Sequence, residues 1–168
     1  VVAGDGEEHE ADVMILCSGF DTVGLPVARL IYGQDGTCLA DSWSDGAHAL
    51  GGMTADGFPN LFLIGGTNVG LGFGSMFFMI ETQAEYIAQA MHTALLEGID
   101  ELRVRPERVR QFVEFIDERA ARTVWLNGGC NSFYIADGTG HLSTLWPDFM
   151  SRYRLDFQEF NRADYVSA

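Results

Sequence analysis

The groups best placed for chemistry in this sequence belong to the main chain. Gly57-Phe58-Pro59-Asn60 opens a turn, Leu61–Ile64 reads as a short buried strand, and a glycine-rich loop follows through Gly65, Gly66, Thr67, Asn68, Gly70, Gly72 and Gly74. That loop runs straight into an amphipathic segment beginning at Ser75. A helix N-terminus offers unpaired amides and a partial positive charge, which suits an anion or the polar edge of a ring. Glycine lets such a group come close, because no Cβ stands in its way.

Other chemistries lack their residues. Gly70-Leu71-Gly72-Phe73-Gly74-Ser75 nearly spells a dinucleotide fingerprint, but Ser75 stands where the last glycine is required. No acidic residue caps a strand about 20 residues further on, where a ribose contact belongs. His9, His48, His92 and His141 are far apart, with no HxH or HExxH, so a metal site is not expected. Cys17, Cys38 and Cys130 form no CxxC pair, and their wide spacing fits reduced thiols in a cytosol. No serine stands in GxSxG. No residue is an obvious acid, base or nucleophile.

The elements that must hold the loop follow from periodicity. Val13-Met14-Ile15-Leu16-Cys17 is continuously apolar, the pattern of a central strand buried on both faces, with Cys17 a small buried hydrophobe. Gly19 and Phe20 would lie just past its carboxyl end, where ligands collect in open α/β sheets; a plain strand-ending turn is the alternative. Val1–Ala3 and Asp12–Cys17 flank a Gly-Asp-Gly turn and suggest a hairpin. A short strand is expected near Thr37–Ala40. The strongest helix spans Ser75 to Glu97, with Phe77, Ile80, Ala84, Ile87, Met91 and Leu95 on one face and Gly98 as its stop. Another begins at Pro106 and buries Val109, Phe112, Val113, Ile116 and Ala120, ending near Arg122. Beyond residue 122 the chain turns aromatic, with Trp125, Phe133, Tyr134, Trp146, Phe149, Tyr153, Phe157 and Phe160 in a long loop and a short helix near Pro147–Tyr153.

With 168 residues, 47% hydrophobic content and a mean hydropathy of +0.04, the chain can bury a core. Its 24 acidic residues face 10 basic ones, all arginine, for a net charge of −14. That balance excludes a nucleic-acid footprint. Arg103, Arg105, Arg108 and Arg110 form the one dense basic patch, either a solvated helix entrance or a contact for a phosphate or an acidic neighbour. No apolar stretch is long enough to span a membrane, and no signal-peptide pattern opens the chain. The opening Val1-Val2-Ala3-Gly4 reads as mid-strand, which suggests a piece of a longer protein.

Several short motifs occur together in order. Cys17-Ser18-Gly19-Phe20-Asp21, then Gly36, Leu39, Asp41 and Trp43, then Gly57-Phe58-Pro59-Asn60-Leu61-Phe62 and Ile80-Glu81, run through the first half. Thr123-Val124-Trp125, Gly128-Gly129-Cys130, Ser132, Tyr134 and Trp146-Pro147 follow. Taken in register, these resemble the C-terminal third of the class B flavoprotein monooxygenases, the flavin-containing and Baeyer–Villiger enzymes.

That resemblance implies an α/β fold, the closing part of a Rossmann-like FAD-binding domain. Residues 1–122 would belong to that cofactor domain and residues 123–168 to a covering loop and tail. The full enzyme would use FAD, NADPH and O2 to insert oxygen beside a carbonyl or on a heteroatom such as sulfur. The main chain around Gly74, Ser75 and Met76 would face the flavin ring, with Gly66, Thr67 and Asn68 lining the approach; a structural tight turn is the competing reading. Gly19 and Phe20 would touch FAD or NADPH. A Ser-Trp-Tyr segment in the family closes over the nicotinamide, and Ser132-Phe133-Tyr134 stands there, its phenylalanine keeping the bulk but losing the indole donor. The two GxGxxG motifs of the family are absent, so the chain alone should be inactive and its partner would be the missing N-terminal part. Two other classes stay open: a non-catalytic interaction module, or another two-dinucleotide flavoprotein such as a disulfide or ferredoxin reductase.

Overall fold

A computed structural model describes residues 1–17, 25–129, 132–135 and 139–167. Helices dominate it. In chain order come α1 (Leu39–Ser42), α2 (Met76–Glu97), β1 (Leu102–Val104), α3 (Pro106–Ala120), α4 (Val124–Asn127), α5 (Met150–Phe157) and β2 (Tyr165–Ser167). Single 3-10 turns stand at Pro26–Leu30 and Arg162–Asp164. β1 and β2 pair antiparallel, with Arg103 opposite Val166.

The long helices form where their end signals stand. Gly98 closes α2 in a left-handed conformation, its N–H donating to Ala94 O, a geometry that glycine adopts without a Cβ clash. Pro106 starts α3, whose buried residues Val109, Phe112, Ile116 and Ala120 recur at three- and four-residue steps. α5 begins three residues later than the sequence suggests, because the Trp146 indole donates to Phe149 O and holds the preceding chain extended.

Three expected strands are not found. Val13–Cys17 forms no strand among the described residues and is exposed, Ile15 at 82%, and Cys17 is exposed too. A strand buried on both faces needs neighbours, and the described residues supply none. Leu61–Ile64 forms no strand; Leu61, Phe62 and Leu63 are half-buried and Ile64 is exposed, and Leu63 N donates to Met53 O while Leu61 N donates to Phe58 O. Near Thr37–Ala40 a single bridge joins Tyr32 to Cys38 before α1 begins. The opening hairpin forms, but Val2 pairs with Glu8 rather than with the apolar run beyond.

The core gathers α2, α3, α5 and the β1–β2 pair around Met79, Tyr86, Phe112, Trp146, Tyr153 and Tyr165. The aromatic tail therefore packs into the same core as the helices before it. Trp146 stacks on Phe112 and meets Tyr153 edge-on at 5.2 Å between centroids. A smaller cluster joins Ala28, Leu39, Trp43 and Phe58. α2 turns a different face inward from the one its apolar spacing suggests: Met79, Thr82, Gln83, Tyr86 and Ala90 are buried, while Phe77, Met91 and Leu95 are exposed.

Buried phenols line this core. Tyr86 donates to the Tyr165 hydroxyl, itself 3.2 Å from Thr54 Oγ1, and Tyr153 donates to Gly51 O. Burial pushes the Tyr86, Tyr153 and Tyr165 phenols above their ordinary value. An unfolded chain ionises these groups near pH 10, the native core only above that. Their contribution is thus fully present below about pH 10 and lost as pH rises beyond it. Urea unfolding should show stability falling above about pH 10, by up to roughly 1.4 kcal/mol per pH unit for each tyrosine. A flat profile between pH 9 and 11.5 would contradict this packing.

Candidate functional site

The glycine-rich loop is held from behind by a polar brace. Gln83, fully buried on α2, accepts a hydrogen bond from Gly65 N at 2.8 Å and donates to Gly51 O at 3.2 Å. Gly52 then lies directly against Thr67: a Cβ on Gly52 would overlap the Thr67 carbonyl, and one on Gly66 would overlap the Gly52 carbonyl. The bare backbone at Gly66 is therefore required by the chain's own packing. Gly70 likewise pairs with Leu145 in a parallel bridge, and a Cβ on Gly72 would come within 2.6 Å of the Trp125 ring.

Asn68 has a structural occupation as well. It adopts φ 56°, is 4% exposed, and its amide nitrogen donates to Leu142 O and Leu145 O while its N–H donates to Ser143 O. Thr67 is buried, and its hydroxyl has no partner among the described residues. Asn68→Ala should cost about 2–3 kcal/mol, combining two orphaned carbonyls with a left-handed backbone that alanine disfavours. Chemical denaturation measures it; a change under about 0.5 kcal/mol would show that the loop does not depend on this anchor.

The start of α2 is open. Gly74 has φ 108°, Ser75 is exposed, and Met76 is 37% exposed. The Ser75 side chain caps no amide, and while Phe78 N donates to Ser75 O, the Met76 and Phe77 N–H groups keep their capacity to donate outward. Met150 lies under Gly74, its Sδ 3.0 Å from where a Cβ would stand, and Phe73 meets Phe149 edge-on beside it. This backdrop fits a flat group that accepts hydrogen bonds and is presented to the helix end.

The second candidate loop reaches the same place through Trp125. The Trp125 ring covers Gly72 and meets Tyr134 edge-on at 6.4 Å, and Phe133 lies 4.0 Å from Tyr134 between centroids. Ser132 Oγ accepts from Tyr134 N. Ser132, Phe133 and Tyr134 are thus joined to the glycine loop. Gly19 and Phe20 lie outside the described residues. Sequence reasoning missed Gln83, Gly52 and the placement of Trp125. A buried polar residue on a helix face and the Gly51-Gly52 doublet were the available signals for the first two.

The remaining polar clusters stand apart. Arg103 pairs with Glu101, Arg108 with Asp164 and Arg110 with Glu107, while Arg105 donates to Ala163 O, so acidic and carbonyl neighbours occupy the basic patch. The Arg103 guanidinium holds the Glu101 carboxyl below its usual range. His48 and His141 approach to 6.2 Å between centroids, each beside an aspartate, Asp45 and Asp117. Among the described residues no group of His, Cys, Asp or Glu could hold a metal ion. A groove of about 440 Å³ beside Trp43, His48 and Arg110 shares no lining residue with the α2 start.

Known proteins match this arrangement. The chain is 40% identical over 166 residues to a Baeyer–Villiger monooxygenase of Streptomyces coelicolor, covering 98% of this chain and 32% of the relative. Over nearly its whole length the chain is similar to Baeyer–Villiger monooxygenases. An FAD-binding monooxygenase of Aspergillus niger is 31% identical, over 98% of this chain and 28% of its own length. A closed crystal structure of cyclohexanone monooxygenase superposes with a TM-score of 0.75 at 26% identity, covering 99% of this chain and 32% of the other. Cyclohexanone monooxygenase from Rhodococcus sp. Phi1 bound to NADP+ gives 0.75 at 24% identity, over 97% and 31%. No family model matches the chain. The chain spans about a third of the length of the proteins it matches. Among the described residues no helix is long and apolar enough to cross a membrane.

Proposed function

We propose that this chain is the C-terminal portion of a cytoplasmic FAD- and NADPH-dependent monooxygenase that inserts one oxygen atom of O2 into a ketone, or into a heteroatom such as sulfur. Residues 1–122 complete a Rossmann-like FAD-binding domain, and residues 123–168 form the covering loop and tail. The N-terminal part of the enzyme is the partner this portion needs for activity. The open, uncapped start of α2 carries the reading, in a chain 40% identical to a Baeyer–Villiger monooxygenase.

When bound, FAD and NADPH supply the redox chemistry. The chain's own residues bind and exclude. The amides of Met76 and Phe77 present hydrogen-bond donors and the positive end of the helix dipole to the electron-rich edge of the flavin. Gly74 keeps the main chain bare at that point, and Gly66, Thr67 and Asn68 fix the loop behind it. Phe133 and Tyr134 add an apolar wall that keeps water from the reacting centre. Gly19 and Phe20 are assigned to cofactor contact by resemblance.

Replacing the matched third of the Streptomyces coelicolor relative with this chain tests the reading. The chimera should oxidise NADPH in step with conversion of cyclohexanone to its lactone. A folded chimera that binds FAD yet forms no oxygenated product from ketone or sulfide would overturn it.

A further inference from the structure

Trp146, Tyr153 and Phe157 of the tail are buried in the core, yet Phe149, which stands between the first two in sequence, is 68% exposed. Its main chain is pinned. Phe149 N donates to Asp148 Oδ1 at 2.7 Å, and Arg119 Nη1 holds the other oxygen of that carboxylate at 2.9 Å. Phe149 O accepts from the Trp146 indole at 3.0 Å and from Arg152 N at 2.9 Å. The ring therefore stands on a fixed base and moves only about its own side-chain torsions. Its place is set as well. The next residue, Met150, lies under Gly74, and the Phe149 ring meets Phe73 edge-on at 6.3 Å between centroids, with 76° between the planes. Two apolar rings, one from the glycine loop and one from the tail, thus flank the open start of α2.

We propose that Phe149 is a specificity-determining residue: its ring walls the space beside the α2 start where the ketone sits, and it favours ketones that bear an aryl group over small alicyclic ones. The inference rests on the functional reading above. An aryl group extends the Phe73–Phe149 pair to three rings in the edge-to-face geometry that aromatic side chains prefer. It also takes the exposed faces of both rings out of water. A small saturated ring covers less of that surface and brings no aromatic edge or face. The pinned backbone means that the wall is in place before the ketone arrives, so little ordering cost falls on binding. Leu155, also on α5 and also 68% exposed, provides the control for loss of an exposed apolar side chain.

The chimera with the Streptomyces coelicolor relative tests this, with Phe149 intact and as Phe149→Ala, Phe149→Tyr and Leu155→Ala. Binding of para-fluoroacetophenone to the FAD-loaded protein, without NADPH or O2, is followed by fluorine NMR. At turnover, kcat/KM for acetophenone is compared with that for cyclohexanone. Phe149→Ala should raise the Kd of para-fluoroacetophenone about tenfold and lower the acetophenone-to-cyclohexanone ratio about tenfold. Phe149→Tyr, which keeps the ring, and Leu155→Ala should stay within about twofold of the intact protein. An unchanged Kd in Phe149→Ala would overturn the proposal, as would an equal rise in Leu155→Ala. A chimera that binds para-fluoroacetophenone through Phe149 yet oxygenates no ketone would sink the functional reading and leave this one standing. A chimera that makes lactone, with the ratio unchanged in Phe149→Ala, would do the reverse.

Discussion

Gly52→Ala should destabilise the chain by about 4 kcal/mol, while Gly57→Ala should cost only about 1 kcal/mol. Both glycines have positive φ, 68° and 81°, so both substitutions carry the left-handed penalty of an L side chain. They differ in their surroundings. A Cβ on Gly57 meets nothing within 4 Å, whereas one on Gly52 overlaps the Thr67 carbonyl. A flexible side chain could move aside, but Thr67 cannot: Gly65 is bonded to Gln83 on one flank and Asn68 to the 142–145 segment on the other. Relief would require breaking the loop that leads to α2. Urea denaturation of the two variants gives the comparison. Equal costs would mean that the Gly52–Thr67 approach is not a constraint of the folded state.

Gly74→Val should lower FAD retention of the complete enzyme at least tenfold. Gly74 has φ 108°, a region that a β-branched residue does not adopt without strain. A Cβ there would also come within 3.0 Å of Met150 Sδ and 3.5 Å of Leu71 Cδ1. The chain can relax only by moving the first turn of α2, which displaces the amides of Met76 and Phe77 from the position assigned to the flavin edge. The flavin-to-protein absorbance ratio of the purified chimera reads the effect, and unchanged flavin content would remove Gly74 from the site. Thermal unfolding of the apo form separates lost binding from lost folding.

The end signals of α2 and α3 were legible because they are local: Gly98 and Pro106 act through their own backbone dihedrals. The inward face of α2 was not legible. Met79, Tyr86 and Ala90 recur at the same helical spacing as Phe77, Met91 and Leu95, so spacing alone cannot choose between the two sides. The buried side also includes Thr82 and Gln83, which a hydrophobic pattern rejects. Gln83 is tolerated there because Gly65 N and Gly51 O satisfy its amide. Val13–Cys17 has the composition of a central strand, but pairing is a property of neighbours, and the described residues provide none. Gly66, Gly70 and Gly72 expose a deeper ambiguity. A glycine required by a ligand and one required by the chain's own backbone look alike in sequence, and here carbonyls of Gly52 and Thr144 and the ring of Trp125 account for the three. Trp125 joins the two candidate loops through packing between residues more than fifty positions apart, which no local pattern encodes.

Hydrogen exchange at the Met76 and Phe77 amides, followed in the chimera with and without FAD, tests the central claim most directly. These groups are uncapped and sit at an exposed helix start, so they should exchange rapidly in the apo protein and at least tenfold more slowly once FAD is bound. Exchange at Met76 and Phe77 that stays fast in a flavin-loaded protein, while amides elsewhere become protected, would contradict the placement of the flavin at the start of α2.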